Sequence, residues 1–118
     1  MAHATGIGGL FFRARDPEAL SAWYAARFGI DGVPWMQQAG PTVFQPFDQN
    51  THYWPGDRQW MVNLRVDDID TLIETLRGEG LAVETRDEWD DPKVGRFARV
   101  NDPEGNPVEM WEPAEERR

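Results

Sequence analysis

Two stretches of the chain carry the same pattern of apolar and polar positions, 52 residues apart, with Asp16 in the first standing where Asp68 stands in the second. Each opens on an alternating, strand-like run, passes through an Asp, and continues with apolar residues at helical spacing. In the first, Leu10, Phe12 and Ala14 fall on one side and Gly9, Phe11 and Arg13 on the other. Asp16 suits a helix N-cap, Pro17 suits the first helical position, and Glu18 complements the helix dipole. Leu20, Trp23, Tyr24 and Phe28 then form an apolar stripe that Gly29 ends. In the second, Val62, Leu64 and Val66 alternate with Met61, Asn63 and Arg65. Asp68 caps, Ile69, Leu72, Ile73 and Leu76 form the stripe, and Gly80 stops it.

Short strands follow each helix. The pattern predicts Val33–Gln37, Thr42–Phe47 and Thr51–Trp54 in the first half. In the second it predicts Ala82–Thr85, Gly95–Val100 and Pro107–Trp111, the last two joined by a turn at Asp102-Pro103-Glu104-Gly105-Asn106. The order β-α-β-β-β thus occurs twice, once over residues 6–56 and once over 59–113, within one domain of residues 1–118. Asp87–Pro92 reads as a charged loop, and Glu115–Arg118 as a fraying tail. The fold class is α+β, with a mixed sheet.

Composition narrows the function. The chain has 118 residues, 40% of them apolar, which supports a core of its own. No apolar run approaches the roughly 18 residues of a membrane span. The first residues, Met-Ala-His-Ala-Thr-Gly, lack a charged and an apolar export region, so a cytoplasmic location is expected. Cysteine is absent, which removes disulfides and thiolate chemistry. Twelve basic against 21 acidic residues give a net charge of −9, which argues against nucleic acid as a partner and favours neutral or cationic small ligands. Six Trp, six Phe and two Tyr are generous for so small a core and suit a pocket for a flat ligand. Ser21 is the only serine and lies on a helix surface, and Gly6-Ile7-Gly8-Gly9 fits no phosphate-loop spacing.

The duplicated unit, closing on Asp-Pro-Glu-Gly-Asn-Pro-Val-Glu-Met-Trp-Glu-Pro at Asp102–Pro113, resembles the vicinal oxygen chelate superfamily of glyoxalase I, bleomycin-resistance proteins and extradiol dioxygenases. The resemblance runs from Ile7 to Pro113. It implies two βαβββ modules curling a mixed sheet around a cleft, and a homodimer. Metal-dependent members of that family hold a divalent ion with one residue from the first and one from the last strand of each module. Those positions here are Gly9, Thr42, Met61 and Glu109. Glycine has no donor, threonine is a weak one, and a thioether suits soft metals. No metal site and no cofactor are therefore expected. The resemblance then implies a small-molecule-binding or sequestering protein of the bleomycin-resistance type. The alternative is a lyase or isomerase of the lactoylglutathione lyase type, using Zn, Ni or Mn through ligands elsewhere.

Strand parity sends Glu109 and Trp111 to the cleft and Val108 and Met110 to the core. Glu109 either meets a ligand amine, acts as a general base, or pairs with Arg13 or Arg65, which parity aims the same way. The two arginines could instead hold an acidic ligand. Phe11, Phe44, Met61 and Trp111 are candidates for stacking on a planar or cationic ligand, and Asn63 is a polar contact. His52 and His3 are the only histidines; His52 with Glu109 is a remote metal pair. Trp35, Trp54, Trp60 and Trp89 belong to loops, at the cleft mouth or at a dimer contact.

Overall fold

In the computed structural model residues 2–115 are described. The elements are α1 (Pro17–Phe28), β1 (Val62–Arg65), α2 (Ile69–Gly78), β2 (Gly95–Asn101) and β3 (Pro107–Pro113), with a three-residue 3-10 turn at Asp87–Trp89. The expected tail beyond Glu115 lies outside the described residues.

Both helices begin and end for the reasons their sequences offer. The Asp16 carboxylate accepts from the Ala19 N–H, and Asp68 does the same for Thr71, filling orphan donors of the first turns. Gly29 takes a left-handed conformation, φ +71°, and donates to the Ala25 carbonyl. At the end of α2, Gly80 (φ +88°) donates to Arg77 O and Leu81 to Leu76 O, the paired bonds of a Schellman stop. Glu112 on β3 also accepts from the Ile69 N–H, which pins the start of α2 to the sheet.

The sheet has the order β1-β3-β2. β1 runs parallel to β3, with Val62 opposite Val108 and Arg65 opposite Trp111. β2 runs antiparallel to β3 from Gly95 opposite Pro113 to Asn101 opposite Pro107. The two helices pack on one face. Leu20, Trp23 and Tyr24 of α1 and Ile69, Ile73 and Leu76 of α2 share a core with Ala98, Val100, Val108 and Met110. Val108 and Met110 thus point where parity placed them, and Leu76 and Met110 are completely buried. No helix among the described residues is long and apolar enough to cross a membrane.

The first half departs from expectation. Gly9–Ala14, Val33–Gln37, Thr42–Phe47 and Thr51–Trp54 form no ladder, and all three strands of the sheet come from the second half. The physical reason is that a strand leaves its N–H and C=O groups unpaired unless an edge is offered. Ala82–Thr85 is likewise reduced to a bridge between Glu84 and Arg99. The sheet is mixed, as expected, but open.

Candidate functional site

The sheet face opposite the helices carries two rows of side chains. One row is Asn63, Glu109 and Arg99, which sit opposite one another across β1, β3 and β2; the next is Arg65, Trp111 and Phe97. A carboxylate therefore sits in the central strand with an amide on one side and a guanidinium on the other.

Glu109 is buried, at 6% exposure. Its Oε1 accepts from Asn63 Nδ2 at 2.7 Å and its Oε2 from the Tyr53 hydroxyl at 2.5 Å. Both donors are neutral, so the carboxylate is hydrogen-bonded without being neutralised by a cation. The expected pairing with Arg13 or Arg65 does not form. Arg65 donates instead to the Gln38 carbonyl at 2.8 Å, where Gly40 passes so close that a Cβ would strike the guanidinium. Arg13 is exposed. Burial, the hydrogen bond to Glu109 and the negative charge of that carboxylate push the Tyr53 hydroxyl up to about 12, with Arg99 partly opposing them. Tyr53 consequently stays protonated and serves as a donor.

Arg99 occupies a corner made by two rings. Its guanidinium carbon lies 4.8 Å from the centroid of Tyr53 and 4.9 Å from that of Trp89, and the two rings meet at 68°. Nη1 donates to the Tyr53 carbonyl at 2.7 Å. Phe47 stacks on the far neighbourhood of the same cluster, 5.7 Å from Tyr53 with the rings nearly parallel, and Trp54 meets Phe47 edge-on. Trp54 is held by its indole N–H on the Arg58 carbonyl.

The residues singled out from sequence separate into two groups. Asn63, Glu109, Arg65 and Trp111 lie together on the sheet, with Met61 half-buried just ahead of β1. Trp111 is itself buried, its indole N–H donating to Val94 O and its ring parallel to Phe97. Gly95 (φ +135°) makes room for that ring, since a Cβ would meet the indole nitrogen and the Glu112 carbonyl. Phe11 and Phe44, by contrast, are 91% and 83% exposed on segments outside any strand. His52 is exposed, and His3 lies on the exposed N-terminal segment. Trp35 and Trp60 are also exposed, whereas Trp54 and Trp89 join the aromatic cluster.

Sequence reading missed Tyr53, Arg99, Phe47 and Phe97. Parity along Gly95–Val100 puts Phe97 and Arg99 on the face of Glu109 and Trp111 once the hairpin register is known. Nothing local announces Tyr53, which reaches Glu109 across 56 positions.

The Asp102 turn is structural. Asp102 is buried and accepts from the Tyr24 hydroxyl, the N–H groups of Glu104 and Asn106, and the Asn106 side chain. Glu104 accepts from the Arg15 and Asp16 N–H groups, which hold its carboxyl below the usual range, and Arg58 binds the turn through Asn106 and the Glu104 carbonyl. The motif that closes the chain therefore fastens the sheet to the start of α1.

The four family ligand positions do not fit a divalent ion. Gly9 contributes nothing, Thr42 and Met61 are poor donors, and Glu109 alone carries a hard ligand, already engaged by Tyr53 and Asn63. Among the described residues no three His, Cys, Asp or Glu side chains are grouped to hold a metal. A cavity of about 590 Å³ lies away from this row, at the end of the sheet between residues 90–96 and 112–115.

The chain is similar to proteins of known structure. One is TnmS3, an antibiotic binding protein from Streptomyces sp. CB03234, with 21% identity over 97% of this chain and 100% of that one, and a TM-score of 0.59. Another is a glyoxalase/bleomycin resistance protein from the same strain, 33% identical over 46% of each chain, with a TM-score of 0.35. No curated protein matches. The family of the Glyoxalase-like domain matches residues 9–110, nearly the whole length. The chain belongs to that Glyoxalase-like family, and with it to the vicinal oxygen chelate superfamily.

Proposed function

We propose that this protein binds a small molecule and sequesters it without a metal ion. The observation that carries the reading is Glu109, a buried carboxylate held by two neutral donors on a face lined with aromatic rings. The rings supply contact area for a flat ligand, and the carboxylate fixed among them bears on which ligand groups the face accepts. The likeness in fold to an antibiotic binding protein is in keeping with this role.

The proposal includes a homodimer in which the two βαβββ modules are completed. Phe11, Met36 and Phe44 are each more than 80% exposed on backbone without ladder partners, and a second copy would both bury these side chains and supply the missing edges. Sedimentation velocity tests this part directly, with a dimer expected and a monomer at every concentration overturning it.

One observation favours the alternative, a metal-dependent lyase: Glu109 keeps the family's ligating side chain at one of four positions. Elemental analysis after purification without chelator, followed by titration with Zn²⁺, Ni²⁺ and Mn²⁺, separates the two. The binding reading expects no stoichiometric ion, together with saturable quenching of tryptophan fluorescence by planar compounds. Tight metal that Glu109→Gln abolishes would overturn the metal-free reading and favour the lyase instead.

A further inference from the structure

Arg99 carries two buried guanidinium nitrogens, Nε and Nη2, that have no hydrogen-bond partner among the described residues. Arg27 also has an unpartnered Nε, but a Glu79 carboxylate oxygen lies 3.3 Å from its Nη2. No ion pair among the described residues includes Arg99. The site around it is built: Nη1 is tied to the Tyr53 carbonyl, and Tyr53 and Trp89 close two sides of the cation. Unsatisfied buried donors cost free energy, and more so on a charged group.

The two free nitrogens share an edge. The Nε–H and Nη2–H bonds of a guanidinium point the same way at the spacing of the two oxygens of a carboxylate. Arg99 also stands directly opposite Glu109 across β2 and β3, on the same face. The row therefore presents a cation and an anion, in that order, beside flat aromatic surfaces.

We propose that Arg99 anchors the ligand and that the ligand is a flat compound bearing a carboxylate or comparable oxyanion. This rests on the binding function proposed above and names the ligand class. The oxyanion takes the Nε–Nη2 edge, while Glu109 repels acidic groups and so orients the other end of the molecule. Because both nitrogens are shut off, one ring has to yield. Tyr53 is tethered through its hydroxyl to Glu109, whereas Trp89 is half-buried on the 3-10 turn of an exposed loop, so Trp89 is the ring that moves. The net charge of −9 slows the approach of an anion over about a Debye length, but the fork acts at contact.

Calorimetric titration with 2-naphthoate, its neutral isostere 2-naphthamide and 2-naphthylmethylammonium tests the assignment. The carboxylate is expected to bind about tenfold more tightly than the amide, the gain of a charge-assisted pair. Arg99→Met should reduce that preference to within about twofold, and Arg99→Lys, which keeps the charge without the fork, to about threefold. Equal affinity of carboxylate and amide for the wild-type protein overturns the assignment, whatever the variants do. So does a preference that survives in Arg99→Met, or tightest binding of the ammonium compound, although both leave the binding function standing. No binding of any of the three overturns the assignment and the sequestration reading together.

Discussion

The two halves of this chain share a local plan and meet different fates. Asp16 and Asp68 cap helices in the same way, and Gly29 and Gly80 end them in the same left-handed conformation. The strands in front of those helices diverge. Val62–Arg65 pairs along β3, and Val66 extends the pairing through its N–H on the Trp111 carbonyl, whereas Gly9–Ala14 has no ladder partner among the described residues. A helix satisfies its own backbone within one segment; a strand depends on a neighbour being there. The second half contains that neighbour in β3. The helix of the first half is docked by Tyr24 and by the N–H groups of Arg15 and Asp16 onto the Asp102 turn, and its loops reach the sheet through Tyr53 and Gln38.

That docking offers the severest test of the contrast. Replacing Asp102 by Ala strips four donors of one buried acceptor, and we expect a loss of about 3–5 kcal/mol in denaturant unfolding. A loss below about 1 kcal/mol would mean that the shared core and the Tyr53 contacts, not the Asp102 turn, carry most of the coupling between the halves. Next comes Leu76→Ala in the shared core, with an expected cost of about 3 kcal/mol for a completely buried leucine.

Tyr53→Phe removes the donor to Glu109 Oε2 and should cost about 1 kcal/mol, checked by the same unfolding curves. The pH dependence of melting sharpens it. The Tyr53 hydroxyl titrates near 12 in the folded protein and near the ordinary 10 when unfolded, so the folded state holds this proton more tightly. Its contribution is complete below about pH 10 and is lost as pH rises through about 12. Tyr24, raised by burial and by Asp102, acts in the same direction. Melting temperature should therefore fall above pH 10, less steeply in Tyr53→Phe; an unchanged alkaline slope would detach Tyr53 from the Glu109 carboxylate. The smallest effect belongs to Phe44→Ser, within about 0.5 kcal/mol in unfolding of the monomer, because the ring is already in solvent. In the homodimer proposed above, sedimentation should nevertheless show weakened association.

Much of the site was readable and its centre was not. Glu109, Asn63 and Trp111 follow from alternation along two runs, because parity alone decides which side of a sheet a residue takes. Parity brought Asn63 to the side of Glu109 but could not supply the second partner. Arg65 has the right direction and the wrong reach, spent on the Gln38 carbonyl, while Tyr53 comes from a segment with no strand of its own. Asp102 illustrates the opposite case: its motif stood out in the sequence, and its work proves to be holding the turn and α1 together.

What the residue order settled by itself was local: where the helices start and stop, which positions face the core, and where the closing turn falls. Each depends on bonds between groups a few positions apart or on the two periodicities of the backbone. Tertiary structure alone decided which strands exist, since a ladder needs a distant edge. It alone decided that the Glu109 carboxylate rests on neutral donors while the Arg99 cation lies in an aromatic corner. Trp89 is near Arg99 in the chain, but Tyr53 and Asn63 join Glu109 and Arg99 from some 46 to 56 positions away, and only the folded chain brings such distances to a few ångströms.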